Sequence, residues 1–229
     1  MDFSWFPKYL PMLLGGLSIT LQLLVITMVL GVLLAIPLGL VQVTGPRWLA
    51  SVARGYCTVM RGTPLLIQLF LFYYGLGSIF ASYPELRQSF IWPVLREGYY
   101  YAIFVFVLNE AGYAGEVFRG GFLSVPKGEL EAARAFGMSP WKVLRRVWLP
   151  RAFRNVMPAL GVETIQTLHS TPLAALVTVV DLFGVADRIR QETYIIYPPL
   201  LTLMVVYLIL VFIITRVFGH LEAQVPARR

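Results

Sequence analysis

Residues 124–150 read Ser124-Val-Pro-Lys-Gly-Glu-Leu-Glu-Ala-Ala-Arg-Ala-Phe-Gly137, then Met138-Ser-Pro-Trp-Lys-Val-Leu-Arg-Arg-Val-Trp-Leu-Pro150. This charged stretch lies between two long apolar runs. Its local signals predict two short helices. The first begins near Pro126, with Glu129 and Glu131 in its first turns, where the helix dipole favours negative charge. Gly137 suits the left-handed position that stops a helix. Ser139 can cap the second helix, and Pro140 fits its first turn. Arg145 and Arg146 fall towards the end of that helix, on the favourable side of its dipole. Pro150 helps to end it. The expectation is a compact helix–turn–helix.

Outward from this unit the chain is apolar. It has 229 residues, 58% of them hydrophobic and 14% charged, with mean hydropathy +0.71. Soluble domains average about 45–50% apolar and about 25% charged. A spanning helix needs about 20 mostly apolar residues, and five candidates appear: roughly Leu10–Val43, Tyr56–Ala81, Tyr99–Phe118, Val156–Val180 and Pro199–Phe218. The first is long enough to tilt or to lie partly along the interface. With five spans the connections divide by charge. Arg47, Arg54, Arg119, Lys127, Arg134, Lys142, Arg145, Arg146, Arg151, Arg154, Arg216, Arg228 and Arg229 fall on one side. Lys8, Arg87, Arg96, Arg188 and Arg190 fall on the other. The positive-inside rule makes the richer side cytoplasmic, with the N-terminus outside and the C-terminus inside. Four or six spans would scramble that division. Trp5, Tyr9, Tyr83, Trp92, Tyr99, Tyr100, Tyr101 and Tyr197 fall near the outer ends, as an aromatic belt would.

Other classes fit poorly. The net charge of +7 is explained by topology rather than by nucleic acid. Cys57 is the single cysteine, and His169 and His220 belong to no metal motif. The first apolar run passes Leu40, too long for a signal peptide, and is read as a retained span. No phosphate-binding Gly-Lys-Ser/Thr loop occurs, and no hydrolase or metalloprotease motif. The chain is expected not to be an enzyme. Any ATP would have to bind another chain.

Glu131-Ala132-Ala133, then Gly137, then Val147-x-Leu149-Pro150 resembles the EAA loop of ABC-importer permeases. Arg119-Gly120 and Val125-Pro126-Lys127-Gly128 resemble the amino-acid branch of that family. So does Arg61-Gly62-Thr63-Pro64-Leu65 with Gln68-Leu69-Phe70. Leu168-His169-Ser170-Thr171 resembles the M-type member of the histidine/octopine/arginine-type pairs, although His169 and Pro172 stand where many members carry lysine and Thr-Ser-Leu. The resemblance implies an all-α membrane protein of about five helices, with the type I ABC-importer permease fold. It implies one transmembrane domain over residues 1–229, with a coupling loop at about 124–150. Its coupling helix would dock into the ATP-binding subunit through Glu131, Ala132, Ala133, Gly137, Leu149 and Pro150. The small Ala132 and Ala133 would permit close approach.

Ionisable groups within a membrane are costly, about 2.5–3.5 kcal/mol on insertion scales, so each is a functional candidate. Glu163, Gln166, Thr167 and Ser170 form a polar stripe at i, i+3, i+4 and i+7. Two readings stand for Glu163: attraction of the cationic group of a substrate, selecting against neutral amino acids, or an interhelical hydrogen bond or arginine pair. Asn109 and Glu110 lie mid-span; Asn109 either bridges helices or faces a pathway. Glu116 pairs locally with Arg119 at i+3. His169, six residues and roughly 240° from Glu163, is either a pH-sensitive gate or a neutral hydrogen-bonding group. Arg61 is expected at the cytoplasmic boundary, beside a kink allowed by Gly62 and Pro64. Asp181, Asp187, Arg188, Arg190 and Glu192 either meet a binding protein or are simply solvated.

The assembly implied by the resemblance has two permease subunits, related but different rather than two copies. It has two ATP-binding cassette subunits carrying ATP and magnesium, and a periplasmic amino-acid-binding protein. The permease chain itself would hold no cofactor and no metal. Its place would be the bacterial inner membrane, and its substrate a cationic amino acid such as arginine, lysine, ornithine, histidine or an opine-like compound. The rival reading is a stand-alone secondary transporter or channel; the small size, absent internal repeat and EAA-like loop argue against it. An intramembrane enzyme would need paired catalytic groups, and Glu163 has no evident partner in the sequence.

Overall fold

A computed structural model describes residues 5–223. Arg228 and Arg229, counted above with the cytoplasmic charges, lie outside the described residues. Among the described residues the chain is helical with no strand. In chain order, α1 is Phe6–Thr44, α2 is Arg47–Gly62 and α3 is Leu65–Ser82. Two single turns follow, Pro84–Arg87 and Trp92–Leu95. Then come α4, Gly98–Leu123, and α5, Lys127–Ala135. The last three are α6, Pro140–Val177, α7, Leu182–Thr193, and α8, Tyr197–Ala223.

Close approaches fix the directions. Gly31 and Gly39 of α1 lie against Glu110 and Phe118 of α4, so the two helices run parallel. Gly112 and Gly115 meet Met60 and Cys57, and Tyr101 packs on Tyr73, so α2 and α3 together run antiparallel to α4. Gly121 meets Ala152 and Val156, while Thr167 reaches Glu110, so α6 is antiparallel to α4 as well. Gly161 meets Phe218, and Thr171 is bonded to Tyr207, so α8 returns beside α6. The chain therefore makes five alternating passes around a central α4. Small residues at these crossings let backbones approach and let dispersion contacts hold the bundle, as membrane helices require.

By length and composition three helices suffice to cross a membrane: α1, α3 and α8. A fourth arises if α6 and α7, bent by 49° at their junction, count as one span. The expected five is approximate for a physical reason. At 1.5 Å per residue α4 is about 39 Å long, but Asn109, Glu110, Glu116 and Arg119 dilute its hydropathy. It lies inside the bundle, with Ala102, Ala111, Ala114 and Phe118 all buried. The second span is also divided: Tyr56 belongs to α2, and α3 starts only at Leu65.

Three apolar clusters stack along the bundle. Trp5, Tyr9, Leu13, Leu182, Val185 and Ile189 form one at the end where α1 begins. Leu23, Leu69, Val105, Phe106 and Val177 form the middle one. Phe118, Phe122, Val125, Val156 and Leu160 form the inner one. The outer connection departs from expectation at Asp181. It is buried and caps α7, accepting a hydrogen bond from the Gly184 N–H at 2.9 Å. Asp187 pairs with Arg190, and Arg188 with Glu192, within α7 itself.

The charged stretch also folds differently from the two short helices expected. The first is present: Gly137 ends α5 with φ +75°. The second does not stop at Pro150. It runs on as α6, through a wider π-helical turn at Leu144–Trp148, with Pro150 in the first turn after it. A proline in a regular helix deletes one hydrogen bond and clashes with the carbonyl four residues back. The i→i+5 register of the π turn moves that carbonyl away. Ser139 precedes α6 without a side-chain capping bond.

Candidate functional site

The break between α2 and α3 positions the site. Thr63 and Pro64 are extended between two helix ends. Pro64 has no N–H, so the Met60 carbonyl loses its helical partner. Two side-chain amides replace it: Asn109 Nδ2 donates to Met60 O at 3.0 Å, and Gln68 Nε2 donates at 2.9 Å. Asn109 also donates to Gln68 Oε1 at 3.1 Å, and Gln68 donates to Thr63 Oγ1 at 2.7 Å. Asn109 is therefore a cross-helix bridge that holds the break open.

Beside the break is a cavity of about 450 Å³, within the range of small-solute sites. The α6 stripe, Glu163, Gln166, Thr167 and Ser170, lines one wall, as its helical spacing predicts. Asn109, Glu110 and Tyr113 of α4 line another, and Arg61 to Leu65 form the rim of the break. Thr27 of α1 completes the cavity. His169 does not line it; its side chain is exposed elsewhere on α6.

Three lining groups were not read from the sequence as belonging here. Arg61, read from the sequence as able to lie at the cytoplasmic boundary, turns toward α4. Its guanidinium lies 5.7 Å from the Tyr113 ring centroid and 3.9 Å from Glu116. Seven residues separate Glu116 from Leu123, so this level is about 10 Å inside the end of α4. Glu116 makes its close pair, 2.9 Å, with Arg119 as expected. Glu110 is only 4% exposed; its Oε2 accepts from Thr167 Oγ1 at 2.9 Å. Thr27, 1% exposed, gave no signal within an apolar run.

The helix–turn unit presents a second face. Glu131 and Ala132 are exposed on α5, whereas Ala133 is buried against the protein itself. Leu149 is half-buried in the inner cluster, and Pro150 is exposed. Phe136, 86% exposed, and Trp141, 67% exposed, flank Gly137; the sequence reading passed over both. The unit is fixed to the bundle by a two-pronged Arg151–Glu129 pair at 2.9 and 3.0 Å. Trp148 Nε1 donates to Phe122 O, and Asn155 Nδ2 to Ser124 Oγ.

Comparison with known proteins places this bundle. The family model described as binding-protein-dependent transport system inner membrane component matches residues 28–225. The chain belongs to that family. This transport-system component is 42% identical over 218 residues to the octopine transport system permease protein OccM of Rhizobium radiobacter, covering 95% of this chain and 87% of the relative. It is 36% identical over 210 residues to the histidine/lysine/arginine/ornithine transport system permease protein HisM of Escherichia coli K12, covering 91% and 87%. A solved structure of an amino acid ABC transporter with histidines is similar with TM-score 0.83 and 29% identity, over 98% of this chain and 99% of that one. The chain is thus a transport component, not a catalytic one, and the permease fold expected from the loop is the one observed.

Proposed function

We propose that the chain is the permease subunit of an ATP-driven bacterial importer of cationic amino acids, in the class of arginine, lysine, ornithine, histidine and opine-like compounds. The observation that carries this reading is the mid-bundle cavity with Glu163 on its wall. A carboxylate in a semi-enclosed site attracts a cationic group of the solute and rewards it more than water does. Relatives named for octopine and for histidine, lysine, arginine and ornithine support the solute class.

ATP and magnesium belong to two separate ATPase subunits. Glu131, Ala132 and Gly137 meet them on the cytoplasmic side, with Ala133, Leu149 and Pro150 shaping that face from behind. A second, related permease completes the pathway, and a periplasmic binding protein delivers the solute. The chain sits in the inner membrane, with its N-terminus periplasmic and its C-terminus cytoplasmic, as the loop charges support.

The test is ATP-dependent arginine uptake by the whole importer in proteoliposomes. Glu163→Gln keeps the shape and removes the charge. Uptake at limiting arginine is expected to fall about tenfold, the factor carried by one lost charge-assisted contact of about 1.4 kcal/mol. Unchanged uptake contradicts the assignment of Glu163.

A further inference from the structure

Two stretches of irregular helix face each other just beyond the cavity. Leu65, Phe106 and Ser170 are the cavity-lining residues of α3, α4 and α6 nearest the end where α1 begins. Past them, α3 widens into a π turn over Leu71–Leu76, and α6 tightens into a 3-10 turn over Thr171–Val177. Irregular turns inside longer helices often mark functional hinges. The middle apolar cluster fills the space between the two turns. Leu69, Phe106, Ala174 and Val177 are buried there, with Phe72, Tyr73 and Leu173 packed against them.

The joint after the 3-10 turn is strained. Thr178 has φ +70° and ψ +9°. A β-branched residue in that left-handed region is an outlier. It costs energy and persists only where its surroundings hold it. Here the Thr178 N–H donates to Ala175 O at 3.3 Å, and the Val179 N–H to Ala174 O at 3.2 Å. Gly98, the first residue of α4, lies against the Val177 carbonyl, where no Cβ would fit. Two hydrogen bonds cross to the π turn. Tyr73 Oη and Thr178 Oγ1 share one at 3.4 Å, and Tyr74 Oη donates to Leu176 O at 3.4 Å. Both are long beside the usual O–H···O distance of about 2.7–2.8 Å. Beyond the joint the chain is anchored elsewhere. The 49° bend leads into α7, whose Leu182 N–H donates to Thr20 Oγ1 of α1 at 3.0 Å. Gly16 of α1 lies against Val185 of α7. Residues 178–181 thus join a helix fixed to α1 with a helix that leads back to the helix–turn unit.

We propose that Leu176 and Thr178 with Tyr73 and Tyr74 form a latch that closes the cavity towards the end where α1 begins, and that the strain at Thr178 is released when the latch opens. The inference rests on the reading of the chain as a permease that opens its cavity to one side at a time, with this end periplasmic. The two long hydroxyl bonds and the buried apolar contacts favour the closed arrangement. The left-handed threonine opposes it. The two arrangements therefore differ little in free energy, as an element that must switch requires.

The experiment measures access to the cavity from outside in intact, energised cells that make the whole importer. Cys57→Ser removes the native thiol, and Ser170→Cys places one on the cavity wall. Its modification by a small membrane-impermeant methanethiosulfonate is followed on this chain. Thr178→Gly and Thr178→Asn accept the left-handed conformation, so each stabilises the closed latch. Each is expected to slow modification about tenfold. Thr178→Val keeps the strain and deletes the hydroxyl, and Tyr73→Phe deletes its partner. Each is expected to speed modification about two- to tenfold, the loss of one hydrogen bond. Tyr74→Phe takes the place of Tyr73→Phe if the latter does not assemble. The latch is wrong if the two pairs shift the rate in the same direction or leave it unchanged. It is also wrong if Thr178→Gly fails to assemble, since relief of strain is expected to stabilise this arrangement. If the rate without any latch substitution is the same in energised and ATP-depleted cells, the permease reading itself is wrong.

Discussion

Glycine at position 31 shows how one missing side chain shapes the site. Leu30 and Val32 beside it are apolar, yet a methyl group at position 31 collides with Glu110. Overpacking of this kind costs about 1–3 kcal/mol when the neighbour must shift. Gly31→Ala is expected to lower the melting temperature of the detergent-purified chain and to weaken arginine uptake. Gly15→Ala, where a Cβ meets nothing within 4 Å, is expected to do neither. Equal melting curves for the two variants would show that Glu110 is not held as described. Legibility was uneven at this scale. Glu163, Gln166, Thr167 and Ser170 could be read from spacing, because helical periodicity alone sets which residues share a face. Thr27 and Arg61 could not. Their roles depend on which other helix faces them, and no single-helix pattern carries that information. His169 shows the same geometry in reverse: being six residues from Glu163 turned it away from the cavity.

At the scale of elements, the break between α2 and α3 does most to place the site. The sequence suggested a kink from Gly62 and Pro64, but the repair of the break was hidden in residues far apart. Asn109 and Gln68 both serve the carbonyl that Pro64 leaves without a partner. Losing one partner of a buried polar group costs about 1–3 kcal/mol. Gln68→Leu and Asn109→Leu are each expected to destabilise by that amount in thermal unfolding. Because each amide still satisfies the Met60 carbonyl when the other is lost, and only the double variant leaves it without either, the double variant is expected to cost more than the sum. Full additivity would mean that the two amides act independently. The charged stretch was legible for its left-handed Gly137 and its first helix. It was misleading at Pro150, since a proline ends a regular helix but a π turn lets the chain continue. The resulting α6 joins the helix–turn unit directly to the Glu163 stripe. Movement imposed on α5 through the Glu129–Arg151 pair therefore has a direct route to the cavity wall.

For the molecule as a whole, the chain makes five alternating passes with α4 at the centre, and the projecting face on α5 is tied by the Glu129–Arg151 pair to α6, which carries the cavity stripe. The alternation of the passes followed from charge and hydropathy. The identity of the buried pass did not follow from hydropathy alone, since α4 carries Asn109, Glu110, Glu116 and Arg119 within its length. Exposed Phe136 and Trp141 beside Glu131 leave an apolar and acidic tip on the inner end. In the proposed assembly that tip is the contact through which ATP hydrolysis acts. The direct measurement is affinity purification of the chain from its own membranes in mild detergent, with identification of every co-purifying protein. The account predicts an ATPase subunit that is retained by the unaltered chain. It is lost when Glu131→Lys and Gly137→Val are combined, the latter placing a β-branched residue at φ +75°. Recovery of the intact, folded chain with no ATPase under those gentle conditions would contradict it and favour a transporter that works alone.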